Sequence, residues 1–384
     1  VSCRSGIPAE TEELATGVYH HTVSVIDGPW AIHVVEVDLQ KAWQHGIRLR
    51  TVRASSSPSG LEKTSTMARG ALAAINGDFF RDSHPVRTVG LQISEGGVVE
   101  NPRRGSAFAI SDTGRPIIAV FDLRAGLITR SGESVPISIL NRDPGQDALS
   151  YYNHHAQAWR DSVHAAVGFH LQSLGTASAI NDTVEARVLQ VRRQAWPLRL
   201  GVDEWFVAAG SGHISMDVAA GDTVGLYCLL PPIADHLAEA IGGGPRIIRD
   251  GEVSVEHEQE SLGSAFAEQR HPRTAVGYSR DRRSLFLVTV DGHQPGYSVG
   301  MSLEELAQFM TSALSSFTRT RENAYQALNL DGGKSTTMVV NEQVVNRPSY
   351  PTGEQAVANA LTVVASTGST GENPVEESAQ NAAL

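Results

Sequence analysis

Apolar residues in this chain are mostly gathered in short runs rich in Val, Ile and aromatic side chains, a pattern that predicts strands. "GVYHHTVSV" from Gly17, "WAIHVVEVDL" and "IRLRTVRA" are three such runs near the start. "TSTMARGALAAINGDFF" predicts a short helix feeding a strand that ends at Asn76-Gly77-Asp78, and "LQISEGGVVE" predicts a hairpin turned at Glu95-Gly96-Gly97. The stretch from about 113 to 235 is irregular and β-leaning; "YYNHHAQAWRDS" within it reads as a loop insertion, and paired short strands are predicted around Ala219-Gly221. "SLEELAQFMTSAL" is the clearest helix. Ser302 and Glu305 have capping-box spacing, and Leu303, Leu306, Met310 and Leu314 recur along one face.

These elements predict an α+β fold: a twisted mixed sheet with packed helices and a β-rich lobe inserted at about 113–235, bordering a cleft. The helix over 302–315 is expected on one face of the sheet. Residues 1–15 read as a polar lead-in, 16–364 as one domain, and the small, acidic segment 365–384 as a disordered tail. No repeat of fixed period is present.

Charge and composition narrow the function. A formal charge of −11 lacks the basic footprint of a nucleic-acid partner. Two cysteines, Cys3 and Cys228, make neither a disulfide scaffold nor a zinc set. No apolar run approaches the roughly 18 residues of a membrane span. "VSC" at the start reads as a solvated cysteine, with a lipoprotein processing site and Cys3 as a lipid anchor as the alternative.

The stretch "ALNLDGGKSTTMVV" offers two chemistries. A P-loop requires glycine five residues before Gly333, where Leu328 stands, and must open a helix; "TTMVVNEQVV" opens a strand instead. Nucleotide hydrolysis is excluded on that ground. No G-x-S-x-G elbow or H-E-x-x-H pair is present, and "EHEQE" at 256–260 reads as a solvated face.

The second chemistry is carboxylate-based. Three apolar strands end in Asn or Asp beside glycine, at Asn76 and Asp78, at Asp291, and at Asn329 and Asp331. Asp-Gly is a common hairpin turn, and "RDGEV" at 249–253 is one. Around Asp331, however, Gly332, Gly333, Ser335, Thr336 and Thr337 form a polar cluster too dense for a plain turn. The three Asp residues are expected to converge.

"AAINGDFF", "IGGGPRIIRDGEV", "HPRTAVGYSRD", "VTVDGHQPGYSVGMSLEELAQFM", "ALNLDGGKSTTMVV" and "VVNRPS…VANAL", in that order, resemble the phosphodiester glycosidase family over residues 70–110 and 205–364. The resemblance implies hydrolysis of a sugar-1-phosphodiester, with an N-acetylhexosamine as the expected sugar, on a glycan, lipid or envelope polymer. It further implies a secreted or cell-envelope location. Two departures stand out: Lys334 takes the place of a third glycine, and Glu354-Gln355 replaces a common Glu-Arg pair.

That chemistry passes through an oxocarbenium-like state with phosphate leaving, which favours cationic clamping over strong acid assistance. Arg273, Lys334 and Arg347 are the candidate clamps. Asp331 is the first candidate for nucleophile or water-activating base, with Asp78 or Asp291 as its partner. Carboxyl groups about 6.5–9.5 Å apart would mean inversion and about 5–5.5 Å retention. Asn76, Asn329, Ser335 and Thr336 are candidate hydrogen-bonding groups for sugar or phosphate, or alternatively turn caps. Gly332 and Gly333 would let substrate approach the backbone. His271 and His293 read as hydrogen-bonded, immobile histidines, with a proton-donor role as the alternative. No cofactor is expected, although the carboxylates are compatible with calcium or magnesium. A non-catalytic polysaccharide-binding or assembly protein, or a glycosidase of ordinary bonds in acidic glycans, fits the same residues.

Overall fold

The computed structural model describes residues 7–26, 28–54, 60–81, 86–102, 105–142, 144–158, 165–175, 180–193, 200–213 and 216–365. Its centre is a pair of facing antiparallel sheets. The larger has eight strands in the spatial order Ala9–Ala15, Val18–Val25, Trp30–Asp38, Ser284–Val290, Arg273–Tyr278, Gln326–Asn329, Arg246–Arg249 and Glu252–Val253. The smaller has five: Gln343–Val344, Met338–Val340, Ala71–Asn76, Asn359–Ala365 and Ile47–Arg53.

Strand periodicity explains why the larger sheet reads as continuous apolar runs. Side chains alternate between faces, and both faces are covered. Val35, Val37, Leu285 and Leu287 point into the core shared with Leu49, Ile75, Met338 and Leu361 of the smaller sheet. Their neighbours Ile32, Val34, Phe286 and Val288 point the other way, onto Leu303, Leu306 and Met310 of the helix Leu303–Ser312. That helix carries the expected capping box: Glu305 N donates to Ser302 Oγ at 3.1 Å, and Ser302 N donates to Glu305 Oε2 at 2.9 Å.

A third, five-stranded sheet, ordered Gly97–Glu100, Gln92–Ser94, Leu237–Gly242, Ser106–Ser111 and Pro116–Val120, lies between the sandwich and a β-rich lobe. Phe108, Ile110 and Ile241 face the sandwich core, while Ala107, Ala109 and Ala240 face the lobe. Strands between 124 and 229 make the lobe's eight-stranded sheet, antiparallel except where Ile139–Leu140 runs parallel to Leu149–Tyr152.

Three expectations are corrected. The central sheets are antiparallel rather than mixed, and helices contribute little beyond Leu303–Ser312, so the fold is predominantly β. The polar lead-in contains the edge strand Ala9–Ala15, paired with Val18–Val25. Its glutamates gave it a loop-like composition, yet charges on an edge strand are how sheets avoid pairing with other chains. The segment "EHEQE" is not simply solvated, because Glu260 accepts hydrogen bonds from Ser106 N, Ser106 Oγ and Arg246 N at 2.8–3.0 Å. Cys3 and residues 366–384 lie outside the described residues.

Candidate active site

Two strand ends from opposite sheets meet at the candidate site. Ala71–Asn76 of the smaller sheet runs out into Gly77-Asp78, and Gln326–Asn329 of the larger runs out into Leu330-Asp331. Asp331 N donates to Gly77 O at 3.0 Å, and Asn76 Nδ2 donates to Asp331 O at 2.7 Å. The amide oxygen of Asn76 is taken as well, by Thr274 Oγ1 at 2.7 Å and Thr337 N at 3.1 Å. Asn76 is therefore a staple between the sheets, fully buried, and not a hydrogen-bonding group for sugar. Asn329 is fully buried too: its Nδ2 donates to Gly244 O and Leu330 O at 2.7 and 2.8 Å, while its Oδ1 has no partner among the described residues.

Asp78 sits in a nest of glycines. Its Oδ2 accepts Gly90 N at 2.6 Å, its N donates to Asn359 Oδ1 at 2.9 Å, and Oδ1 is buried with no partner among the described residues. A Cβ on Gly242 would lie 2.6 Å from both Asp78 Oδ2 and Gly90 Cα, which explains part of the glycine run in "IGGGP". We expect Gly242→Ala to lower stability by about 1–3 kcal/mol, because neither the Asp78 carboxyl nor the Gly90 backbone has room to retreat. Thermal unfolding checks this; an unchanged melting temperature would show that the nest is looser than described.

The electrostatics follow from that burial. Loss of hydration pushes the Asp78 carboxyl up to about 7, its bonds to backbone N–H groups oppose this, and the nearby Asp331 charge adds to the rise. Burial likewise pushes Asp331 up to about 6, against hydrogen bonds from the Ser335 side chain and Gly332 N. Asp78 is the deeper of the two, with 2% of its surface exposed, whereas Asp331 is half-buried. The pair can thus hold one proton near neutral pH, on Asp78, beside an ionised Asp331.

The turn after Asp331 is built around Pro272. Gly333 N donates to Pro272 O at 2.9 Å with φ at +62°, and a Cβ on Gly332 would come within 2.8 Å of the same oxygen. Gly332 serves close packing against Pro272, whereas Gly333 answers to its positive φ and has open space where a Cβ would stand. Ser335 orients Asp331, and Thr336 is fully buried with Thr274 Oγ1 3.4 Å away. Lys334 is exposed on the short turn Gly333–Ser335.

Arg273 is placed where a clamp could not be. Its guanidinium is 1% exposed, donates to the backbone oxygens of Met301, Phe266 and Gln269 at 2.7–2.8 Å, and lies over the Phe266 ring. Burial lowers its pKa to about 10. Arg347 differs: its side chain is exposed, over the Tyr297 ring.

Asp291 reaches the same region through a loop. Both carboxyl oxygens are occupied, Oδ1 by Asn346 Nδ2 at 2.8 Å and Oδ2 by Arg347 N at 2.8 Å and Tyr297 OH at 3.1 Å. Asn346 in turn donates to Thr336 O at 3.2 Å, joining the Asp291 and Asp331 turns. His271 Nδ1 and His293 Nε2 lie 3.0 Å apart and are hydrogen-bonded to each other. Glu354 accepts Ser65 N and Ser65 Oγ at 2.7 and 2.6 Å. Among the described residues no group of three or more His, Cys, Asp or Glu is placed to hold a metal ion.

Sequence reasoning missed Asn346 and Asn359. Asn359 stands in the apolar strand "NALTVVA", and a polar residue in a buried strand must find partners. That signal was available.

The fold recurs elsewhere. A hypothetical protein from Synechocystis matches with TM-score 0.66 and 24% identity over 93% of this chain, which spans 63% of that protein's length. A candidate exported protein from Burkholderia pseudomallei matches with TM-score 0.60 and 21% identity, over 88% of this chain and 74% of the other. The zebrafish N-acetylglucosamine-1-phosphodiester α-N-acetylglucosaminidase catalytic domain, auto-inhibited by its pro-peptide, aligns at TM-score 0.46 and 16% identity, over 94% and 85% of the two chains. No curated protein is significantly similar to the chain. Residues 207–364, which include the Asp291 and Asp331 turns, match the phosphodiester glycosidase family, as the ordered motifs led us to expect.

Proposed function

We propose that the protein hydrolyses sugar-1-phosphodiesters, releasing a free sugar and leaving a phosphomonoester. The observation that carries this reading is the Asp78–Asp331 pair at the junction of two sheets, its second member inside the segment that matches the family. In the reaction the bond from the anomeric carbon to the phosphate oxygen breaks, and its electrons leave with the phosphate. Water supplies the new hydroxyl. Ionised Asp331 faces the anomeric carbon, as base toward water or as nucleophile, and protonated Asp78 donates its proton or a hydrogen bond to oxygen in the site.

An N-acetylhexosamine on a glycan, lipid or envelope polymer is the substrate class we favour, with the enzyme acting outside the cytoplasm. One observation supports that setting: a protein of the same fold is described as a candidate exported protein.

The test is release of free sugar from UDP-N-acetylglucosamine and a small panel of sugar-1-phosphodiesters, with ordinary glycosides alongside. Release from the phosphodiesters alone is the expected result. Release only from ordinary glycosides would replace the reading with a glycosidase of acidic glycans, and silence throughout would replace it with a binding protein.

A further inference from the structure

Asp291 has no carboxyl oxygen free for a reacting atom, unlike Asp78, whose Oδ1 has no partner among the described residues. It is 1% exposed, and three donors from its own protein occupy its two oxygens. Burial pushes the Asp291 carboxyl above its ordinary range, and hydrogen-bond donors in fixed places, with the nearby Arg347 charge, oppose that rise. Two of its three donors belong to one loop, Asn346 and Arg347.

That loop is tied on every side. Asn346 accepts Met338 N at 2.7 Å and donates to Thr336 O, Gln294 Nε2 donates to Arg347 O at 2.8 Å, and Ser349 Oγ donates to Gly333 O at 3.3 Å. Tyr297, whose hydroxyl binds Asp291, lies with its ring 5.3 Å from the Arg347 guanidinium carbon. Arg347 therefore has a fixed backbone, an aromatic support and an exposed head that makes no ion pair among the described residues. The last bond joins this loop to the turn that carries exposed Lys334.

We propose that Asp291 is a positioning residue that sets Arg347, and that Arg347 with Lys334 forms a two-cation site for a phosphoryl group beside Asp331. The proposal rests on the phosphodiester reading and assigns its anion-binding side. A guanidinium lying over an aromatic ring keeps its N–H edge free for two parallel bonds to an oxyanion, and a lysine adds a point charge from the second loop. Arg273, buried on three carbonyls, is not available for this task.

Calorimetric titration with inorganic phosphate tests the site without turnover. Wild type is expected to bind; Arg347→Ala should weaken binding at least about tenfold, and Lys334→Ala severalfold. Asp291→Asn should match Arg347→Ala, and the double variant should be no weaker than Arg347→Ala alone, since both act on one contact. With a phosphodiester substrate, Asp291→Asn should raise KM by a similar factor while kcat falls less. If Asp291→Asn does not fold, Tyr297→Phe keeps the ring, removes one donor from Asp291 and gives the same readout in milder form. Phosphate affinity indifferent to Arg347→Ala would overturn the site. A kcat loss of about a thousandfold in Asp291→Asn with phosphate affinity intact would make Asp291 a reacting group instead. Arg347-dependent phosphate binding without sugar release from any substrate would keep the site and sink the hydrolase reading; release with indifferent phosphate binding would do the reverse.

Discussion

Asp331→Asn is expected to reduce sugar release from a phosphodiester substrate by about a thousandfold or more, with the protein still folded. The amide fits the place of the acid. Asp331 is held by its backbone, through Gly77 O and Asn76 Nδ2, and its side chain accepts from Gly332 N at 2.9 Å, a bond that an amide oxygen can also accept. What is lost is the negative charge and the basicity. A carboxylate acting as nucleophile or base contributes to the barrier directly, and a thousandfold loss corresponds to about 4 kcal/mol. Burial already disfavours the charged form of Asp331, so removing the charge carries no penalty in folding. Circular dichroism and thermal unfolding should show a native protein while single-turnover assays show almost no product. Residual activity within about tenfold of wild type would remove Asp331 from the chemistry and reduce it to a turn residue.

The sequence located the three Asp turns, and the structure joins them through short bonds: Asp331 N to Gly77 O beside Asp78, and Asp291 through Asn346 to Thr336 O. Local signals of this kind are written in neighbouring residues. Hairpins at Glu95-Gly96 and Asp250-Gly251 were legible for the same reason, and both turns adopt positive φ at both positions. Sheet order was not legible. Trp30–Asp38 pairs with Ser284–Val290 across some 250 residues of chain, and nothing local in either strand names its partner.

The roles of long polar side chains were equally hidden. Arg273 and Arg347 both lie in segments that carry the family resemblance, yet one guanidinium ends on backbone carbonyls and the other in solvent. The difference depends on Phe266, Gln269 and Met301, whose approach to Arg273 is a property of tertiary packing. The same holds for Asn76. As a strand-end residue it looked like a contact for substrate, and only the arrival of Thr274 from the strand Arg273–Tyr278 and of Thr337 from just before Met338–Val340 turns it into a staple.

Asp78→Asn should separate stability from activity in opposite directions. In the unfolded chain the Asp78 carboxyl titrates near its ordinary value of 3.8; in the folded protein burial raises it to about 7. Below about pH 4 both states hold the proton and the group costs nothing. As pH rises from there to about 7 the unfolded chain releases the proton while the native state retains it, so wild-type stability falls. Above about 7 the native group is ionised too, and the loss levels off at no more than roughly 4 kcal/mol, from a shift of about three units. The amide does not titrate, so the variant should escape this loss. Equal melting temperatures are expected at pH 4, with the variant several degrees more stable at pH 8. Activity should move the other way, falling about a hundredfold or more, because the buried proton is gone. The alkaline limb of the wild-type pH profile, where the Asp78–Asp331 pair loses its last proton, should vanish with it, leaving the acid limb from protonation of Asp331. A variant that is less stable at pH 8 would mean that Asp78 is ionised in the native protein, and the proton would then have to be held elsewhere.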